Sequence, residues 1–286
     1  MDQRIIDLYD DYTHRPLPRR EFLERLLALA GSLVGVQAAL AALECDYARA
    51  ETVAEADPRI VTGIFEVNDG AIKGYSASPK GMLPNAANHA VIIIHENRGL
   101  NPHIRDIARR VASEGFFAVA PDFLSQMGGT PADEDKAREA FTRLRAEDAI
   151  DMARQLVSSF KSRNRQAKIA AMGFCWGGGM VNTLATVAPE LDAGIAYYGI
   201  APALDKVGAI TATMMMHYAG LDQRVNATMP AYEAALKAAG TRYQMFTYEG
   251  VNHGFNNDTS AERYGEAAAK LAWGRSMTLL KERLLA

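Results

Sequence analysis

The chain has 286 residues, a formal net charge of −3, and 49% hydrophobic and 23% charged residues, which is an ordinary globular composition. This charge, without a run dense in Lys or Arg, gives no indication of nucleic-acid binding. The two cysteines, Cys45 and Cys175, are too few for a disulfide framework or a four-cysteine zinc or iron–sulfur site. No apolar run is long and clean enough to span a membrane. The length suits one large α/β domain with an extension.

Residues 1–56 precede that domain and are predicted to be a helical extension. Arg19-Arg20, an Ala/Leu-rich segment from Leu26 to Leu43 and an A-x-A-like site at Ala48-Arg49-Ala50 resemble a twin-arginine export signal. Glu24 departs from that pattern, since a Lys is often found there. We favour a retained helix that packs on the domain, and hence a cytoplasmic protein. Periplasmic export through the twin-arginine-like segment is the alternative.

Residues 57–286 are predicted to form one α/β-hydrolase domain. Alternating patterns around Asn68-Asp69-Gly70 predict a β-hairpin. After it, strand and helix patterns alternate, which predicts a doubly wound, mostly parallel sheet with helices on both faces. The predicted strands are Val61–Val67, Ala71–Ala77, Ala90–His95, Phe116–Ala120, Ala167–Met172, Ala193–Tyr198, Thr213–Tyr218 and Tyr243–Tyr248. The predicted helices are Ile104–Glu114, Asp133–Leu144, Glu147–Phe160, Met180–Val187, Met229–Ala239 and Ala261–Leu285.

The stretch Gly173–Gly179 is the most informative part of the sequence. It joins an apolar strand pattern to a helical pattern and carries Cys175, which is the layout of a nucleophile elbow, G-x-Nuc-x-G. Glycines flank the nucleophile because a sharp strand-to-helix turn leaves no room for a Cβ atom. The dipole of the following helix favours a thiolate. The alternative is a buried, inert thiol beside a glycine-rich turn.

Asp222 and His253 each follow a predicted strand in a short loop that contains glycine. Functional groups of such sheets gather at the carboxyl ends of the strands, and the chain order nucleophile, Asp, His is that of the α/β-hydrolase triad. Cys175 would attack an acyl carbonyl, His253 would act as base and acid, and Asp222 would orient the imidazole. The oxyanion is expected against the backbone N–H groups of Trp176 and Asn97.

The other histidines carry weaker signals. His14, His89 and His103 lie in polar or loop contexts and are predicted to be surface residues. His217 lies in an apolar strand and is predicted to be a buried core residue with satisfied ring nitrogens. His95-Glu96 lacks a second histidine at the H-E-x-x-H position. The sequence therefore predicts no metal site and no cofactor.

Four motifs together resemble the dienelactone hydrolase family of α/β-hydrolases, over roughly Val61 to the C-terminus. They are Cys175 in Gly-Phe-Cys-Trp-Gly-Gly, Glu96 in His-Glu-Asn-Arg-Gly-Leu, Asp222, and His253 in His-Gly-Phe. The resemblance implies that Glu96 contacts the resting thiol and helps to generate the thiolate once substrate is bound. The alternative for Glu96 is a salt bridge with Arg98 or Arg105.

Two positions depart from the dienelactone-cleaving members of that family. Gln126 and Asn257 stand where those members carry arginines that bind the substrate carboxylate. Neutral amides do not reproduce a bidentate arginine–carboxylate contact, so we expect weak activity on dienelactone and better activity on neutral esters. Arg98 is a candidate replacement cation, and Phe123 is a candidate aromatic residue of the substrate pocket.

The sequence thus predicts a thiol-dependent hydrolase of carboxylic esters or lactones. The expected partner is a small-molecule substrate, and the expected state is a monomer or a homodimer. Two other functions stay open: a peptidase-like or acyltransferase member of the same fold, and a degenerate hydrolase that acts as a binding protein. The presence of all three triad residues argues against the binding protein.

Overall fold

A central sheet sets the positions of the loops that carry the predicted site. The computed structural model describes residues 1–15, 17–47, 50–82 and 89–285, and within them it has one eight-stranded sheet. The strands are β1 (Ile60–Val67), β2 (Ile72–Pro79), β3 (His89–Ile94), β4 (Phe117–Pro121), β5 (Lys168–Phe174), β6 (Ala193–Tyr197), β7 (Thr213–Ala219) and β8 (Tyr243–Tyr248). Their order is β1-β2-β4-β3-β5-β6-β7-β8. β3 to β8 pair in parallel, whereas β2 pairs antiparallel with both β1 and β4.

Helices cover both faces of this sheet. They are α1 (Gln3–His14), α2 (Arg19–Ala30), α3 (Leu33–Leu43), α4 (Pro102–Ser113), α5 (Glu134–Thr142), α6 (Ala146–Arg163), α7 (Trp176–Val187), α8 (Gln223–Asn226), α9 (Met229–Ala239) and α10 (Glu266–Leu284). α4 and α10 pack on one face, and α6, α7 and α9 pack on the other. Val91 and Ile93 of β3 enter the first core, while Ile92 and Ile94 enter the second, which explains the unbroken apolar pattern of this strand. The predicted doubly wound α/β-hydrolase fold is confirmed.

Most predicted elements lie within a few residues of the observed ones. Asn68 and Asp69 both have positive φ, at 54° and 55°, as the predicted hairpin turn requires. The last helix differs, because α10 begins at Glu266 rather than at Ala261. The backbone N–H of Gly265 donates to the carbonyl of Phe255, so the chain just before α10 is bound to the loop after β8 and cannot enter the helix.

The helices α1, α2 and α3, which precede the first strand in the chain, form an apolar cluster separate from the two cores of the sheet. Phe22 and Leu26 of α2 are buried in it together with Tyr9 and Tyr12 of α1. α2 ends at Ala30 and is capped by Gly31, whose φ of 72° suits glycine, so the Ala/Leu-rich segment is divided between two helices. Within the described residues, no single helix is both long and apolar enough to cross a membrane. α2 and α3 together meet those two criteria but are bent by 111°.

The paired arginines of the twin-arginine-like segment lie at the start of α2. Arg19 forms an ion pair with Asp135, and Arg20 pairs with Glu24 on its own helix. Ala48 and Arg49 of the A-x-A-like site lie outside the described residues. The structure therefore places the arginine motif on a folded helix and leaves the processing site untested.

Candidate active site

Cys175 occupies a sharp turn between β5 and α7. Its φ of 57° and ψ of −115° lie outside the ordinary regions for a residue with a side chain. Such a conformation costs on the order of 1–3 kcal/mol and persists where the surrounding structure holds it. A Cβ on Gly173 would lie 2.1 Å from the carbonyl oxygen of Gly177, and a Cβ on Gly177 would lie 2.2 Å from that of Ile94. The two flanking glycines are therefore required for this turn, as the sequence pattern indicates.

Asp222 and His253 come together at the carboxyl ends of β7 and β8. His253 Nδ1 lies 2.6 Å from Asp222 Oδ2, and both side chains are buried. Because a carboxylate only accepts hydrogen bonds, this contact places the proton on Nδ1 and leaves Nε2 available. Burial opposes ionisation of Asp222, but the hydrogen bonds from His253 and from the backbone N–H of Val225 outweigh it and lower the pKa of this carboxyl group.

His253 Nε2 is buried and has no hydrogen-bond partner among the described residues. One ring nitrogen of His253 lies within 4.8 Å of Cys175 Sγ. The structure thus brings the three predicted triad residues together, with the free imidazole nitrogen available to exchange a proton with the thiol.

His14 is a residue of this site that the sequence analysis missed. Its Nε2 lies 2.9 Å from Cys175 Sγ, and its ring packs edge-on against His253 with centroids 4.6 Å apart. The prediction that His14 lies on the surface is wrong, since its side chain is only 11% exposed. The same prediction is wrong for His103. Its side chain is fully buried, and its Nδ1 atom lies 3.3 Å from Asp258 Oδ1. The expectation for His217 is confirmed, because Tyr248 and Ser276 satisfy both of its ring nitrogens.

A carboxylate also holds His14. The Nδ1 atom of His14 lies 2.8 Å from the backbone carbonyl of Asp10 and 3.1 Å from Asp10 Oδ1. Burial favours the neutral imidazole, but the charge of a Cys175 thiolate and the bond to Asp10 outweigh it and raise the pKa of His14. Burial similarly opposes ionisation of Asp10, yet the charges of His253, His14 and Arg224 lower the pKa of this carboxyl group strongly. The only sequence signal was the i, i+4 spacing of Asp10 and His14 on an amphipathic helix, which also describes a surface ion pair.

Glu96 and Asn257 are bound to each other in the structure. Asn257 Nδ2 donates to Glu96 Oε2 at 3.0 Å, while Asn257 Oδ1 accepts from the backbone and the hydroxyl of Thr259. Glu96 lines the same small cavity as Cys175. The hydrogen-bond partner of the sulfur, however, is His14 rather than Glu96. Asn257 therefore serves to orient Glu96, a role that the sequence analysis did not foresee.

The two predicted oxyanion residues lie in different elements: Trp176 follows Cys175 at the start of α7, and Asn97 lies in the loop after β3. Trp176 is the first residue of α7, so its backbone N–H is not used within the helix. Its ring stacks on His95 at 5.6 Å. Asn97 lines the small cavity and donates from Nδ2 to the carbonyl of Thr13 on α1. Asn97 therefore also ties α1 to the loop after β3.

Of the remaining predicted substrate-binding residues, only Arg98 lines the cavity at Cys175. Arg98 lines the cavity at Cys175 and lies 3.8 Å from Glu134. Phe123 is fully buried against Trp176, and Gln126 is exposed on a short 3-10 helix, so neither lines that cavity. Arg263 is a half-buried cation that the sequence analysis missed. It lines the cavity, and its hydrogen bonds go to Ser260 Oγ, the Leu43 carbonyl and Cys45 Sγ, none of which is a carboxylate.

α1 closes the site from outside the sheet. The cavity beside the sulfur has a volume of only about 30 Å³, with Tyr9, Thr13 and His14 of α1 in its wall. That volume has room for about two water molecules at most, so an ester cannot occupy it. A larger cavity of about 380 Å³ lies next to it, between α1 and the loops that carry Asp222 and His253. A substrate that reaches Cys175 therefore has to displace part of α1.

Comparison with known proteins identifies two segments. The profile of the dienelactone hydrolase family matches residues 72–284. A profile described as YqhI-like matches residues 1–31, the segment that contains α1 and α2. Neither match covers residues 32–71, which contain α3 of the α1–α3 cluster and β1 of the sheet.

Individual relatives agree with the larger match. A Saccharolobus solfataricus protein named "Putative carboxymethylenebutenolidase" is 30% identical over 256 residues, which is 76% of this chain and 97% of the relative. An Escherichia coli protein named "Putative hydrolase fragment YghX" is 45% identical over 101 residues, 34% of this chain and 85% of the relative. A crystal structure titled as a "Putative Dienelactone Hydrolase" from Klebsiella pneumoniae has a TM-score of 0.68 at 26% identity, and the match covers 78% of this chain and 99% of that one.

Proposed function

This chain belongs to the dienelactone hydrolase family and is a hydrolase, and on that premise we propose that it cleaves carboxylic esters or lactones through a Cys175 acyl-enzyme. One observation carries the proposal: a strained elbow presents the Cys175 sulfur within reach of His253, whose other nitrogen is fixed by Asp222. A nucleophile, a base and an orienting group in mutual reach are what covalent acyl transfer requires.

The proposed reaction has two halves. The Cys175 thiolate attacks the acyl carbonyl, while His253 holds the proton that the thiol has lost. The backbone N–H of Trp176 and one from the loop at Asn97 stabilise the oxyanion. The carbon–oxygen bond then breaks, and His253 Nε2 gives its proton to the leaving alkoxide. In the second half, His253 takes a proton from water, the hydroxide attacks the thioester, and the thiolate leaves.

The contacts at the site support a preference for neutral esters over dienelactone. The charge of Arg98 faces the carboxylate of Glu134, and the amide of Asn257 is used by Glu96. Neither group is free to bind a substrate carboxylate. Arg263 favours the opposite preference, since its charge lies at the cavity and its hydrogen bonds go to groups other than carboxylates.

Steady-state kinetics with p-nitrophenyl butyrate and cis-dienelactone tests both the thiol mechanism and the substrate preference. We expect a higher kcat/KM for the neutral ester, and a loss of activity on the order of 10⁵-fold in Cys175→Ala. Rapid quenching followed by intact mass spectrometry should show an acyl adduct on the wild type and on the control variant Cys45→Ser. Full activity in Cys175→Ala would overturn the thiol mechanism. A higher kcat/KM for dienelactone that is lost in Arg263→Gln would overturn the substrate preference.

We also propose that residues 1–43 stay on the mature enzyme. Removal of this segment would take away the His14 partner of the sulfur and, with it, the whole apolar cluster of α1 to α3, in which Phe22 and Leu26 are buried. Sequencing the N-terminus of the native protein tests this proposal. A mature chain that begins near residue 50 would contradict it and favour export.

A further inference from the structure

Three metal-binding atoms meet at the proposed active site. One ring nitrogen each from His14 and His253, together with Cys175 Sγ, lie within 4.8 Å of one another. Within the described part of the chain, this is the one group of at least three His, Cys, Asp or Glu side chains with such spacing. Thiolate and imidazole are the ligands that zinc prefers, and three protein ligands are typical of a site with an open fourth position.

The surroundings of both histidines suit metal ligation. Metal-bound histidines almost always donate their other ring N–H to a carboxylate, a backbone carbonyl or water, which fixes the ring and makes the ligating nitrogen more basic. His253 Nδ1 has Asp222 at 2.6 Å, and His14 Nδ1 has the carbonyl and the carboxylate of Asp10 at 2.8 and 3.1 Å. Both rings are therefore held with Nε2 available. His14 Nε2 already contacts the sulfur, and His253 Nε2 is buried without a partner.

The geometry requires only small adjustments. Given the zinc–sulfur and zinc–nitrogen bond lengths, a tetrahedral ion separates its sulfur and nitrogen ligands by about 3.5 Å. The distance from His14 Nε2 to Cys175 Sγ is 2.9 Å and has to widen slightly, and all three ligand atoms already lie within 4.8 Å of one another. The cavity of about 30 Å³ beside the sulfur leaves room for one water as the fourth ligand. The thiolate selects zinc over magnesium or calcium.

We propose that Cys175, His14 and His253 bind one zinc ion, and that the bound ion keeps the enzyme inactive with α1 closed over the site. On binding, a zinc–sulfur bond forms, the thiol proton leaves to solvent and nothing is oxidised. The ion then occupies both the sulfur lone pair that would attack the substrate and the His253 nitrogen that would accept a proton. His14 joins the metal to the N-terminal helix, so the ion also prevents the displacement of α1 that a substrate needs. The inhibition rests on the proposed function, whereas the metal binding does not.

Metal binding can be measured without any substrate. Metal-free protein is titrated with Co²⁺, and we expect visible d–d absorption of a tetrahedral site together with a thiolate-to-cobalt charge-transfer band that is lost in Cys175→Ser. Zn²⁺ affinity is measured by competition with a chromophoric chelator. We expect His14→Ala to weaken it by more than about 100-fold and Asp10→Asn by about 10- to 100-fold. The matched controls His89→Ala and Asp7→Asn should bind as the wild type does.

Inhibition is measured on the same proteins with a neutral ester. One equivalent of Zn²⁺ should stop hydrolysis by the wild type, and a chelator should restore it. Each variant is compared with its own rate in the absence of zinc. On that scale, half-inhibition of His14→Ala should need a zinc concentration more than about 100 times that for the wild type. Equal zinc affinity in wild type and His14→Ala, or a cobalt complex without a thiolate band, would overturn the zinc site while leaving the proposed hydrolysis intact. Tight, His14-dependent zinc binding by a protein without esterase activity would uphold the site and overturn the proposed function instead.

Discussion

Two Asp–His pairs flank the Cys175 sulfur, and they come from different parts of the molecule. Asp222 and His253 follow the neighbouring parallel strands β7 and β8, so the sheet itself sets their positions. Asp10 and His14 lie one helical turn apart on α1, which precedes the sheet and packs in the separate α1–α3 cluster. The two pairs present similar chemistry to one atom, but the fold holds them by different means.

That difference separates a catalytic role from a closing role. A base that acts in every turnover has to keep its place while substrate enters and product leaves, and the loops of the sheet provide this. The pair on α1 occupies the space that a substrate needs, and only side-chain packing and a few hydrogen bonds keep it there. We therefore expect the Asp222–His253 pair to be required for activity and the Asp10–His14 pair to limit access.

Removal of each imidazole gives the largest expected contrast. His253→Ala should lower kcat/KM for p-nitrophenyl butyrate on the order of 10⁴-fold or more, since the proton acceptor is lost. His14→Ala should raise kcat/KM by up to about 10-fold, because a larger fraction of the enzyme is then open to substrate. His89→Ala is the matched control and should not change the rate. A loss in His14→Ala as large as that in His253→Ala would make both histidines catalytic.

Neutralising each carboxylate is the next contrast. Asp222→Asn should lower kcat/KM by about 10²–10⁴-fold, because an amide that donates to Nδ1 imposes the wrong tautomer on His253. Asp10→Asn should change it by less than about 10-fold, as should Asp7→Asn, its control on the same helix, whose side chain makes no contact with His14. Equal losses in Asp222→Asn and Asp10→Asn, with Asp7→Asn unchanged, would contradict the assignment of separate roles.

The sequence predicts the sheet-borne half of this site well and the α1 half poorly. Gly173 and Gly177 are visible because only glycine fits the elbow, and the places of Asp222 and His253 follow from the geometry of parallel strands. The docking of α1 depends on contacts between residues that are far apart in the chain. His14 and Cys175, for example, are separated by 161 residues. Apolar periodicity locates a buried face but does not say what covers it.

The packing of the two regions predicts a third contrast, in stability. Leu26 lies in the α1–α3 cluster and Leu156 of α6 in the core of the sheet, and both are fully buried. Either change to Ala should cost about 2–5 kcal/mol in the region that contains it. Leu156→Ala should lower the global unfolding midpoint, whereas Leu26→Ala should mainly raise hydrogen exchange within residues 1–43. Equal shifts of the midpoint would show that the helices unfold together with the sheet.

The smallest expected contrast is in pH dependence, where the two pairs have opposite signs. The raised pKa of His14 stabilises the closed arrangement below the unfolded value of about 6.5, and that contribution is lost as pH rises through the folded pKa. The lowered pKa of Asp222 stabilises its pairing with His253 above the unfolded value of about 3.9, and that contribution is lost only as pH falls through the folded pKa. Raising the pH from about 6 to about 9 should therefore loosen α1 and leave the Asp222–His253 pair in place.

Chymotrypsin cleavage after Tyr12 of α1, which is buried in the closed arrangement, measures this loosening when it is normalised to a free peptide of the same sequence. The normalised rate should rise a few-fold with pH in the wild type, because His14 loses its charge and its ion pairs with Asp10 and the Cys175 thiolate. In His14→Gln the rate should be high at every pH. An equal pH dependence in wild type and His14→Gln would mean that another group holds α1, and the comparison of the two pairs would then lose its electrostatic basis.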